Sequence, residues 1–173
     1  MACSSTKKKS FSIVQISIGI LTVILVVLIV AMMMIVSSIQ GTARIVNYAG
    51  LVRGKTQRIV KFEISGKQED DMIQEIESFI DGLRNGNKEL NLVRLEDSDF
   101  QTKMEELNEY FLMLKQEIVQ VRAYGADKTQ ILSKSERFFE ICDEATGLAE
   151  VYSQRKASSL SVLEKYITAD IVV

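Results

Sequence analysis

Hydrophobic and polar residues follow two different rhythms along this chain. Between Lys9 and Arg44 lie 34 residues without a charge, and the stretch Ile18 to Val36 (IGILTVILVVLIVAMMMIV) is apolar on every face. Nineteen residues at helical rise match a hydrocarbon core of roughly 30 Å. Thirteen of them are Leu, Ile or Val, which favours membrane insertion by about 4 to 8 kcal/mol. A cleaved secretory signal also starts basic and turns apolar, but its apolar part runs only about 7 to 15 residues. The pattern therefore predicts an uncleaved transmembrane helix over residues 11–39, after a basic tail over 1–10. Lys7, Lys8 and Lys9 predict that this tail is cytoplasmic and that the chain beyond the span lies outside the cell membrane.

Past the span the rhythm becomes that of amphipathic helices. Phe100, Met104, Leu107, Phe111, Leu114, Ile118 and Val121 are spaced 4, 3, 4, 3, 4, 3, a heptad seam of the kind that packs in helical bundles. Ser98 with Gln101 reads as a capping box before it, and Gly125 as its stop. A fourth helix is expected from about Lys128, burying Ile131, Phe138, Cys142, Ala145, Ala149 and Tyr152, with Asp127 and Gln130 as its cap. A first helix over about 42–64 and a second over about 69–84, burying Met72, Ile76, Phe79 and Leu83, precede these. Gly66 and Asn85–Gly86–Asn87 punctuate them. Residues 85–97, with Leu90, Leu92, Val93 and Leu95, read as a strap along the bundle or a short strand. The expected fold is all-α: a transmembrane helix, then an antiparallel four-helix bundle over 42–166. Residues 167–173 read as the start of a second span, which would make the chain the front piece of a longer protein.

Composition narrows the chemistry. There is no His, Trp or Pro, and only two Cys, so imidazole catalysis and imidazole metal ligation are excluded. The near-neutral total hides a split: all 23 acidic residues and 18 of the 21 basic ones follow residue 43, a net of −5. With few aromatic residues and no basic stripe, no nucleic-acid partner is expected. Cys3 and Cys142 fall on opposite sides of the membrane in this topology, so no disulfide is expected. Cys142 reads as a small core residue. Glu69–Asp70–Asp71 and Glu96–Asp97–Ser98–Asp99 precede helices, where acids complement the dipole, and read as caps rather than metal ligands. No catalytic motif, metal site or cofactor site is present in the pattern.

One candidate for binding chemistry stands out. A phase of the first helix, Val46, Gly50, Arg53, Gln57, Val60, Ile64, is apolar at both ends and reads as inward-facing. Its middle holds a guanidinium and an amide beside a glycine that opens room. The same helix carries Arg44, Lys55, Arg58 and Lys61, with no acid before Glu63. A small planar anion would satisfy the fork of Arg53. An internal ion pair, for example with Asp143 or Glu150, would satisfy it equally, and so would a side chain reaching out of a shallow seam.

The stretch Asn47–Tyr48–Ala49–Gly50–Leu51–Val52–Arg53–Gly54–Lys55–Thr56–Gln57–Arg58–Ile59 resembles the motif N-x-A-G-x-x-R-x-x-x-Q-R that opens the extracytoplasmic sensor domains of nitrate sensor kinases and pilus-type chemoreceptors. Asn47, Ala49, Gly50, Arg53, Gln57 and Arg58 match, while Gly54 and Lys55 depart from the apolar residues of the pattern. The resemblance implies a homodimer in which Arg53 of both subunits grips one anion. Gly50 and Gln57 would line the site, and Asn47 and Arg58 complete the candidate set. The run from Gln40 into the acidic second helix also resembles the front half of membrane-bound diguanylate cyclases. The expected function is the input region of a membrane receptor that signals to a cytoplasmic output domain, a diguanylate cyclase ahead of a histidine kinase or chemoreceptor. The expected partners are the lipid bilayer, a second copy and a small anionic ligand. A single-span anchor whose helices bind a partner protein is the alternative.

Overall fold

The computed structural model describes residues 3–125 and 128–172. It is all-helical: α1 (Cys3–Ile64), α2 (Asp70–Asn85), α3 (Ser98–Tyr124) and α4 (Lys128–Val172). With no proline to interrupt them, α1 runs 62 residues and α4 runs 45. The chain divides into two compact units, one of Met1–Ser38 with Lys156–Val173, the other of Ile39–Arg155.

In the first unit, most of the described apolar side chains of α1 stand exposed, among them Val14, Leu21, Val27 and Met34. α1 is long and apolar enough to cross a membrane by length and composition.

The second unit is organised around one hydrophobic core fed by all four helices. The heptad seam of α3 is buried at every expected position, from Phe100 through Val121. Phe111 meets Phe138 of α4 at 5.7 Å between ring centroids, and Tyr48 of α1 meets Phe79 of α2 edge-on at 4.9 Å. Such aromatic pairs add about 0.5–1.5 kcal/mol beyond their burial. α4 buries Ile131, Phe138, Cys142, Ala145 and Ala149 as expected, adds Ser135 and Ile141, and leaves Tyr152 half-buried. In α2, Ile73 and Ile80 join Ile76, Phe79 and Leu83 in the core, while Met72 packs at its edge.

Ion pairs report the register. Glu77 of α2 meets Lys115 of α3, and Arg84 meets Glu105 at 2.9 Å. Lys103 of α3 meets Glu144 of α4 at 2.6 Å, and Glu117 meets Lys134. As numbers rise on one helix of each pair they fall on the next.

Two local expectations change. The α3 cap sits at Asp97, whose side chain accepts from Phe100 N at 3.0 Å, one residue before the expected Ser98. Gln101 does not return to Ser98; its amide donates to the carbonyl of Leu95 at 2.9 Å, tying the preceding segment down. At the other end Gly125 adopts φ 62 and closes the helix on Val121 O. The expected cap at Asp127 lies outside the described residues. The α2–α3 connection folds as a tight turn with a single antiparallel bridge, Asn87 to Leu92. Asn87 Oδ1 accepts from Glu89 N and Leu90 N, and Leu92 and Leu95 plug the core. Gly86 enters this turn at φ 81, a conformation that favours glycine.

The phase of α1 differs from the expected one by a residue. The buried stripe is Thr42, Ile45, Ala49, Val52, Thr56, Ile59, Glu63, joined by Val60. Val46, Gly50, Arg53, Gln57 and Ile64 flank it, half-buried. The buried stripe is disguised by its polar members. Glu63 is tolerated because Arg122 of α3 grips it with two hydrogen bonds, 2.6 and 2.8 Å, and reaches Asp70 of α2 at 2.7 Å. These hydrogen bonds hold the Arg122 guanidinium even more firmly charged than usual. Thr56 Oγ1 is buried with no hydrogen-bond partner.

Two outcomes are expected for the full chain in detergent, followed by circular dichroism during denaturation. Arg122→Ala, which strands the buried Glu63 carboxylate, lowers stability by about 3 kcal/mol, whereas Arg137→Ala, which removes solvent-exposed contacts to Glu106, Glu140 and Glu144, changes it far less. Similar losses for the two would refute the clasp. Thr56→Val keeps the shape, removes an unsatisfied hydroxyl and raises stability by about 1 kcal/mol.

Candidate functional site

The flank of α1 that carries the motif faces two ways. Arg53 and Gln57 turn toward α4. Arg53 Nη1 donates to Asp143 Oδ1, and its guanidinium carbon lies 4.9 Å from the centre of the Phe139 ring. The pair is open to solvent, with 39% and 48% of the two side chains exposed. Gln57 Nε2 donates to the carbonyl of Ser135 at 3.1 Å. Ser135 is fully buried, and its hydroxyl donates to Leu132 O at 3.0 Å.

Asn47 and Arg58 face outward. They stand eleven helical steps apart, about 16 Å along the axis, and Arg58 lies over the Phe62 ring at 5.2 Å. Gly50 is half-buried, and a Cβ placed there would meet nothing within 4 Å. The structure thus brings Arg53 and Gln57 onto α4 and leaves Asn47 and Arg58 on the open side.

The positive field of α1 is smaller than its composition implies. Lys55 pairs with Glu75 of α2 at 2.6 Å, Arg53 pairs with Asp143, and Arg44 donates to the carbonyl of Asn91 at 3.3 Å. Of the two internal partners considered for Arg53, Asp143 is the one used. Glu150 instead borders a shallow cleft of about 330 Å³ with Thr42, Ala43, Val46, Ser153 and Gln154. Phe139 was not legible as a partner, because a second aromatic after Phe138 is equally at home as an exposed neighbour of a core residue.

The remaining chemical candidates have structural roles. Glu69 pairs with Lys67, Asp70 with Arg122, and Asp97 caps α3 and meets Arg155 at 3.5 Å. Among the described residues no three or more His, Cys, Asp or Glu cluster to hold a metal ion. Cys142 is a free, buried thiol. Burial pushes it from 9.0 up to about 12, against the pull of nearby Arg53, with Asp143 adding to the rise.

The fold is shared with a solved receptor ligand-binding domain. That domain belongs to the nitrate receptor McpN of P. aeruginosa; the two agree with a TM-score of 0.58 at 18% sequence identity, over 64% of this chain and 96% of that one. No protein-family model matches the chain, and no curated protein matches it by sequence.

The raised thiol makes a pH prediction. The neutral form is favoured by the fold, so Cys142 in the native chain resists iodoacetamide at pH 8.5, while the urea-unfolded chain is alkylated readily. The unfolded thiol ionises from about pH 9 and the folded one only near 12, so stability contributed by this group falls as pH rises through that window. Mass spectrometry of the Cys142 peptide reads the first outcome. Equal labelling of native and unfolded chains would refute it.

Proposed function

We propose that this chain is the extracytoplasmic input region of a membrane signal receptor. The observation that carries the reading is the fold shared with a receptor ligand-binding domain, nearly all of which this chain matches. The second unit is read as an antiparallel four-helix bundle, supported by the opposed registers of its ion pairs. The uncharged run before Arg44 is read as the membrane span, with the basic tail in the cytoplasm.

Arg53 is the proposed anion ligand, with Gly50 and Gln57 beside it and Asn47 and Arg58 on the outward face. The open face of α1, which carries Asn47 and Arg58, is where a second copy would pack, with Arg53 on the flank between that face and α4. The chain binds rather than catalyses. A ligand that favours one helix packing over another would shift α1 against α4, and displacements of about 1–2 Å are a known switching mode for packed helices. The output is read as a cytoplasmic domain, a diguanylate cyclase ahead of a histidine kinase or chemoreceptor. One observation favours the anchor reading instead: the Arg53–Asp143 pair is what an internal structural role requires.

The test is thermal unfolding of the full chain in detergent against nitrate, nitrite, formate and sulfate. A cognate anion at a hundredfold over its Kd stabilises the wild type by about 2.7 kcal/mol. Arg53→Ala, at an exposed pair, folds normally and loses that shift. A wild type indifferent to every anion would count against the site.

A further inference from the structure

Arg53 carries a planar fork of five N–H donors, and the group that meets it is itself a planar anion. The Asp143 carboxylate accepts from Nη1, and the Phe139 ring packs 4.9 Å away from the guanidinium carbon. Carboxylate and nitrate share the same trigonal geometry of oxygen acceptors, so a planar oxyanion that takes Nη1 competes with Asp143 for that donor. The neighbouring acids of α4 are engaged elsewhere. Glu140 accepts from Arg137 at 2.9 Å, and Glu144 accepts from Lys103 at 2.6 Å. Asp143 is therefore the carboxylate that α4 presents to Arg53. The pair is also reachable, with both partners more than a third exposed, and pairs of this exposure are held by no more than about fivefold in equilibrium.

We propose that Asp143 is an internal competitor for the anion-binding face of Arg53, displaced when a planar oxyanion binds. Asp143 then sets the ligand threshold, because apparent affinity falls by the fraction of molecules in which Arg53 is engaged. It also links binding to packing. The same pair ties α1 to α4, so an anion that takes Arg53 favours the untied arrangement and binds the two states unequally. The inference rests on the reading of Arg53 as the ligand residue.

Isothermal titration of nitrate into the full chain, reconstituted in nanodiscs of zwitterionic lipid in chloride-free buffer, tests it. Asp143→Asn and Asp143→Ala are expected to lower the nitrate Kd by about two- to fivefold. Asp143→Glu, which keeps the carboxylate, is expected to bind like wild type. The gain disappears when Arg53→Ala is added. Circular dichroism confirms that each variant is helical, and the Asn and Ala forms serve as independent checks on packing. Unchanged or weaker binding in both forms, with wild type binding through Arg53, overturns the competitor and leaves the receptor reading standing. A gain that survives Arg53→Ala also overturns it. No nitrate binding by any variant removes the Arg53 site itself, and the competitor with it.

Discussion

Burial of Ile45, Ala49, Val52 and Ile59 in the common core sets the rotation of α1 about its own axis, and the other features of the candidate site follow from that rotation. With this stripe inward, Arg53 and Gln57 fall on the flank that meets α4, while Asn47 and Arg58 fall on the side open to solvent. A turn of α1 by one residue, about 100°, would bury the guanidinium of Arg53, at a cost in desolvation that a single carboxylate recovers only with excellent geometry. The observed phase keeps Arg53 where ions reach it.

The stripe is held from its far end by charge rather than by apolar contact. Glu63 is buried and gripped by Arg122, which also holds Asp70, so one guanidinium joins the end of α1, the start of α2 and the end of α3. The α1–α4 flank is lighter. Its polar contacts include a solvent-open pair, an amide-to-carbonyl hydrogen bond, the cation–π contact with Phe139 and, at the end of α1, a hydrogen bond from Lys128 to the carbonyl of Ile64, each individually weak. In contrast, α3 presents Phe100, Met104, Leu107, Phe111, Leu114 and Ile118 to the core. Within this unit the firm contacts surround α3, and the lighter ones lie where the proposed ligand residue sits.

The parts of the fold that were legible share one property: a single phase wins clearly. On α3 one seam is apolar at every heptad position, and although Leu112, Met113 and Val119 lie exposed off it, no second phase is as continuous, so burial follows from spacing. On α1 two phases compete. The phase chosen from the sequence begins and ends on Val46, Val60 and Ile64, while the one actually buried includes Thr42, Thr56 and Glu63. Nothing local marks Glu63 as acceptable in a core, since its partner Arg122 lies 59 residues away. The cap of α3 was misplaced for a smaller reason of the same kind. Asp97 and Ser98 are both good caps, and the pull of Gln101 on Leu95 favours the earlier one.

By itself, the amino-acid sequence determined the uncharged apolar run, the all-helical character and the seam of α3, because each depends on neighbours within a few turns of one helix. The candidate residues were also legible, as a motif. Which side of α1 they occupy, and that Arg53 meets Asp143 across 90 residues of chain, was decided only by tertiary packing. Helix rotation is settled by the total burial of every face against three other helices, and no single stretch of sequence contains that sum.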